Sequence, residues 1–139
     1  MAGIRRKGRT AALQVLYESD CAHHNAMASL NRIAEEDVLP EEALLFARQL
    51  VEGVLASRER IDSLIEAHAP NWPVSQLSAI DRNILRLAIF EISIDNKVPM
   101  KAAINEAVEL ARTFGSESSS RFVNGVLGSI ARLSTHANG

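Results

Sequence analysis

The sequence predicts an all-α fold, and three observations carry that prediction. Apolar residues recur at the i, i+3, i+4, i+7 spacing of a helix face along most of the 139 residues. No stretch of four or more residues alternates apolar with polar side chains in a strand-like composition, and β-branched residues are scattered among Ala, Leu and Glu. Serine caps, prolines and glycines punctuate the periodic segments as helix starts and stops do. With 47% hydrophobic residues the chain is long enough for one globular domain with its own core, built from about six or seven helices.

The elements follow in order. Ala11 to Ser19 form a first helix with Ala12, Leu13, Leu16 and Tyr17 on one side and Thr10 as its N-cap. A shorter second helix carries Met27, Leu30, Ile33 and Ala34 before the acidic run Glu35, Glu36, Asp37 and Pro40 break it into a loop. From Glu41 a core helix carries Leu44, Leu45, Leu50, Val51, Val54 and Leu55, with acidic residues in the first turn where the helix dipole favours them. Ile61, Leu64, Ile65 and His68 continue the pattern, either as the same helix through Ser57 or as a new one. Past Pro70 and Pro73, Ser78 followed by Asp81 reads as a capping box opening a long helix to about Ile94. That helix is apolar on two sides, Ile80, Ile84, Leu87 and Ala88 on one and Leu85, Ile89 and Ile92 on another, as a central helix is. Pro99 starts the next, with Ala103, Ala107, Leu110, Ala111 and Phe114 in a stripe and Gly115 where a left-handed C-cap belongs. The turn SESSS caps a last helix bearing Phe122, Val126 and Ile130, in which Gly125 and Gly128 point to close helix contacts.

Several function classes are excluded. The N-terminus lacks the apolar segment and cleavage site of a signal peptide, and no apolar run approaches a membrane span, so the expected compartment is the cytoplasm. The single cysteine, Cys21, has no partner for a disulfide or the paired spacing of a zinc site, and reads as a small buried or half-buried apolar residue. GxGxxG, GxxxxGK[ST], GxSxG and HExxH are all missing. His23 and His24 are adjacent and would point about 100° apart on a helix, which does not clamp one metal. His68 and His136 have no Cys or Asp at ligand spacing. No cofactor, metal or catalytic centre is expected.

Binding remains, and charge placement directs it. The chain has 15 basic and 17 acidic residues, a net charge of −2, but Arg5, Arg6, Lys7 and Arg9 all precede residue 10. Removing those four leaves 11 basic against 17 acidic residues, or −6, so positive charge is concentrated at the start. Arg82 and Arg86 stand one helical turn apart, where two guanidinium groups could meet adjacent phosphates or pair with acids such as Asp81. Phe122 shares a stripe with Val126 and Ile130 and is either core or a ring at a helix start that stacks a base.

Three further stretches, SAIDRNILRLAIFEI at 78–92, VPMKAAINEAVELARTFG at 98–115 and SSSRFVNGVLGSIAR at 118–132, join the basic start and ALQVLYE in one order. Together they resemble the NusB transcription antitermination factor family over nearly the whole chain. The resemblance implies two small helical bundles and a non-catalytic bacterial factor that binds the boxA element of nascent RNA. It implies a partner, the ribosomal protein NusE, with which boxA is gripped before joining RNA polymerase on ribosomal RNA operons. Carried over, Arg5, Arg6, Lys7 and Arg9 form a flexible basic arm over residues 1–9 that meets RNA phosphates, and Phe122 lies on the RNA surface. Tyr17, Asp81 and Arg86 fall where the family's RNA and NusE surfaces adjoin, Arg86 being assigned to RNA and Tyr17, Asp81 and Arg82 to NusE. Ser118 and Ser119 complete the RNA set, in a turn less charged than in related proteins. Two rivals stand beside this reading. One is an RNA-modifying enzyme, disfavoured because no cofactor-binding domain follows before Gly139. The other is a self-associating helical module, a homodimer with an incidental basic tail.

Overall fold

A computed structural model describes residues 3–69 and 71–138, without the side chains of 133–138. Among the described residues there are helices and no strands, in two compact units. The first, residues 1–56, holds α1 (Ile4–Ala22), α2 (Ala26–Glu36) and α3 (Glu41–Ala56). The second, residues 57–139, holds α4 (Arg58–His68), a 3₁₀ turn (Val74–Gln76), α5 (Ala79–Ile89) with its π-helical continuation (Phe90–Asp95), α6 (Met100–Phe114) and α7 (Ser119–Asn138).

In the first unit α1 packs on α2 and α3 through Val15, Leu16, Leu30, Ile33, Leu50, Val51 and Val54, all buried. Each such side chain contributes about 1.5–3 kcal/mol over leaving it in water. The stripe that α3 turns inward is set by small residues. Ala43 and Ala47 are fully buried, whereas Leu45 and Leu55, expected in the core, are 50% and 41% exposed. The cause is a close approach: a Cβ on Gly8 of α1 would stand 2.8 Å from the Phe46 ring and 3.0 Å from the Ala43 carbonyl oxygen. Only glycine admits that spacing.

Helix α1 begins at Ile4, not after Thr10, so the arginine cluster is helical and not a flexible arm. Thr10 is therefore no N-cap; its hydroxyl donates back to the Arg6 carbonyl at 2.9 Å. Cys21 lies on the exposed side of α1 rather than buried. Asn25 caps α2 by accepting from the Ala28 N–H. The end of α2 is a Schellman turn, with Val38 N–H to Glu35 O and Leu39 N–H to Ala34 O. Its left-handed position, φ 49°, is filled by Val38, a β-branched residue where glycine is ordinarily found.

In the second unit α5 is the central helix, packed against α4, α6 and α7. Every residue from Asn83 to Ile92 is buried. The expected long helix runs on to Asp95, its last six residues in π geometry, and closes at Asn96 with φ 53°. Ser57 separates α3 from α4, which settles the question of one helix or two. At Ser78 the hydroxyl accepts from the Asp81 N–H at 3.2 Å as expected, while Asp81 Oδ1 is buried without a hydrogen-bond partner.

Three glycines depart from expectation. Gly115 has φ −94° and ψ −169°, an extended residue and not a left-handed cap. It is needed because a Cβ there would lie 2.5 Å from Ser119 Cβ. Among the described residues, Gly125 and Gly128 receive no packed helix: a Cβ on Gly125 meets nothing within 4 Å, and one on Gly128 meets only the Arg132 guanidinium at 3.5 Å.

Two substitutions test this packing. Val38→Gly removes left-handed strain worth about 1–2 kcal/mol against a smaller entropic cost, so thermal denaturation should shift up by a few degrees. Gly8→Ala forces backbone and ring apart and should lower stability by about 1–3 kcal/mol in urea titration.

Candidate nucleic-acid interface

The two units each carry one candidate surface. In the first, Arg5 and Arg6 are exposed and Lys7 is half-buried in the opening turn of α1, whose first turn holds no acidic residue. Three cations at a helix N-terminus oppose the dipole, at about 0.3–1 kcal/mol each when exposed. A polyanion laid against them reverses that sign. Arg9 differs: it is 4% exposed, and both its guanidinium and that of Arg5 stand 5.3 Å from the centre of the Phe46 ring. Arg9 thus anchors the helix to α3 and does not offer its charge to a strand. Tyr17, 39% exposed, lies on the same helical face as Arg6 and Thr10. Farther along, Arg32 of α2 pairs with Glu18 of α1 and with Glu36. The Glu18 hydrogen bond raises the Arg32 pKa above the ordinary arginine value, with charge attraction to Glu18 and Glu36 adding to it.

In the second unit the expected pair of guanidinium groups on one face does not form. Arg86 is 4% exposed and grips Asp62 of α4 with two parallel bonds, Nε to Oδ1 at 2.8 Å and a terminal nitrogen to Oδ2 at 3.0 Å. Its other terminal nitrogen donates to Asn83 Oδ1 at 3.3 Å. A guanidinium so buried and so occupied does not reach a phosphate, and the RNA role expected of Arg86 gives way to a structural one. Arg82 is half-buried, and one of its terminal nitrogens donates to the carbonyls of Val74 at 3.2 Å and Leu77 at 3.0 Å. It pins the segment before α5.

Phe122 is half-buried, which decides between core and surface in favour of a ring that is partly both. It lines an open depression of about 310 Å³ with His68, Trp72, Arg121, Gly125 and Val126. Trp72 is 54% exposed, and Arg121 is exposed beside it. The His68 ring is held by Ser129, Nδ1 to Oγ at 2.8 Å. The serine turn before Phe122 divides. Ser118 is exposed, but Ser119 is buried at 1% and its Oγ accepts the Ser116 N–H at 2.9 Å, so Ser119 closes the turn and does not face a ligand. Trp72 was missed in the sequence although its position between Asn71 and Pro73, outside any apolar stripe, marked it as a ring without a core to enter.

Among the described residues no group of three His, Cys, Asp or Glu side chains is placed to hold a metal ion. Among the same residues no helix is long and apolar enough to cross a membrane.

Two helical units, a basic helix N-terminus and an aromatic depression beside an exposed arginine define a helical binding protein. The family model described as the NusB family matches residues 6–132. The chain belongs to the NusB family. The transcription antitermination protein NusB of Dehalococcoides mccartyi strain CBDB1 is 52% identical over 132 residues, covering 95% of this chain and 92% of the relative. That of Roseiflexus sp. strain RS-1 is 51% identical over 132 residues, with 94% and 93% covered. Among solved structures, a chain in the crystal structure of antitermination factors NusB and NusE in complex with double-stranded RNA superposes with a TM-score of 0.87 at 29% identity, covering 96% of this chain and 99% of that one. NusB of T. maritima gives a TM-score of 0.86 at 33% identity, covering 95% and 93%.

The buried ion pair sets a prediction. Arg86→Ala takes the bidentate partner from the Asp62 carboxylate, leaving it only the 3.8 Å approach of the exposed Arg58 guanidinium, and should cost roughly 2–4 kcal/mol of stability, the lower end reflecting the partial exposure of Asp62 and that second cation. Chemical denaturation measures it, and a variant as stable as the parent would remove the structural role.

Proposed function

We propose that this protein is a transcription antitermination factor that binds boxA RNA together with NusE and joins the RNA polymerase complex on ribosomal RNA operons. The reading rests on membership of the NusB family and on one observation above all: exposed Arg5 and Arg6, with Lys7, crowd the dipole-disfavoured first turn of α1 on a chain whose remainder is acidic. It is supported by the likeness to a chain in the complex of NusB, NusE and double-stranded RNA.

Arg5, Arg6 and Lys7 neutralise phosphates in the first unit. In the second, Phe122 presents a ring to a base, with Ser118 beside it. Arg9 acts behind the first of these surfaces by steadying the basic turn, and Ser119 behind the second by steadying the turn before Phe122. Tyr17, Asp81 and Arg82 are the NusE-facing residues, Arg82 by holding the backbone that precedes Asp81. The role is one of binding without catalysis and is exercised in the cytoplasm, where nascent RNA is made.

A footprint of about three phosphates on a single strand gives a slope of log K against log salt of about −2. Arg5→Ala with Arg6→Ala should flatten that slope by about 1.4 and weaken boxA RNA binding in fluorescence anisotropy, with the thermal melt unchanged. Unaltered affinity at low salt would refute the basic turn's role. Asp81→Lys should weaken capture of NusE in a pull-down while RNA binding by the protein alone persists. Light scattering on the protein with NusE and RNA should show a ternary complex; a homodimer indifferent to RNA would favour self-association instead.

A further inference from the structure

We infer that the depression at the start of α7 holds a single unstacked RNA base, with Trp72 as its outer wall. This rests on the RNA-binding reading and assigns a residue and a site within it. Trp72 is 54% exposed in the connection after α4, so a large aromatic surface stands open to a ligand. Phe122 contributes a second aromatic surface to the same depression. One helical turn on from Phe122, Gly125 leaves that side open, since a Cβ built there meets nothing within 4 Å among the described residues. Arg121 is exposed at the rim, a cation suited to the phosphate of the bound nucleotide or to stacking on its base. His68, fixed by Ser129 Oγ at 2.8 Å, forms the remaining polar edge.

The volume of about 310 Å³ is at the lower end for small-ligand sites, and it suits one nucleotide rather than a helix or a duplex end. The occupant is a nucleotide and not an apolar peptide because the rim is cationic. The site also continues the surface that the proposed function gives to RNA through Phe122. Stacking between two rings accepts any base, so the pocket supplies affinity and register more than sequence choice.

Trp72 is the sole tryptophan, so its emission reports the site directly. Titration of the full chain with a boxA-like oligoribonucleotide at low salt, read by tryptophan emission and by anisotropy of a labelled RNA, should give quenching with the anisotropy midpoint. Trp72→Ala should weaken binding about 5- to 150-fold, the loss expected for one stacked base, and Trp72→Phe should recover most of it. Gly125→Leu, which fills the depression at an open helical position, should weaken binding at least about tenfold with helicity intact by circular dichroism. Saturating anisotropy with unchanged emission, and parental affinity in Trp72→Ala, overturns the pocket and leaves the RNA-binding reading standing. Flat anisotropy both alone and with NusE overturns both.

Discussion

A guanidinium that is 4% exposed has to be paired, and the Arg86–Asp62 clamp is the contact on which the second unit turns. It locks α4 to α5 at one register, because a planar fork meets a carboxylate bidentately in only one orientation. With α4 fixed, its last residue, His68, arrives beside Ser129 of α7. Arg82, one turn before Arg86, uses the carbonyls of Val74 and Leu77 to fasten the connection that leads into α5. The segment bearing Trp72 is therefore held at one end by α4 and at the other by Arg82. Two arginines spaced like a phosphate-binding pair instead fix α4 and the connection that bears Trp72.

The first unit solves a different problem, bringing a cationic helix start against a neighbouring helix. Gly8, Ala43 and Ala47 remove side-chain bulk at the crossing of α1 and α3, and Phe46 fills the remaining space. Its ring then faces the guanidinium groups of Arg5 and Arg9 at 5.3 Å each, which offsets part of the repulsion among the clustered cations. Arg9 is buried by this arrangement and Arg5 and Arg6 remain exposed at its edge. A helix that tolerates charges its dipole disfavours is poised for an anion, since binding one relieves the conflict.

Legibility in the sequence followed the range of the interaction. Helix periodicity, the Ser78 cap and the Pro99 start depend on residues within four positions of one another, and they correspond to helices in the structure. The turn at Gly115 was located by the same local signals, but its conformation was not, because the requirement for glycine comes from the approach of Ser119 and not from φ. Gly125 and Gly128 carried the same pattern as packing glycines, yet among the described residues no neighbouring helix comes within 4 Å of a Cβ built on either. Arg82 and Arg86 are indistinguishable by spacing from a phosphate-binding pair until Asp62 appears across from one and backbone carbonyls beside the other.

By itself the sequence determined the all-helical class, the placement of positive charge at Arg5, Arg6, Lys7 and Arg9, and the FVNGVL segment that carries the family resemblance, all of them properties of local order along the chain. Only the tertiary structure decided which cations stay exposed, that Arg9 and Arg86 are structural, and that Trp72 and Phe122 share one depression. The physical reason is that exposure and pairing depend on neighbours far away in sequence: Phe46 lies 37 positions from Arg9, and Asp62 lies 24 from Arg86.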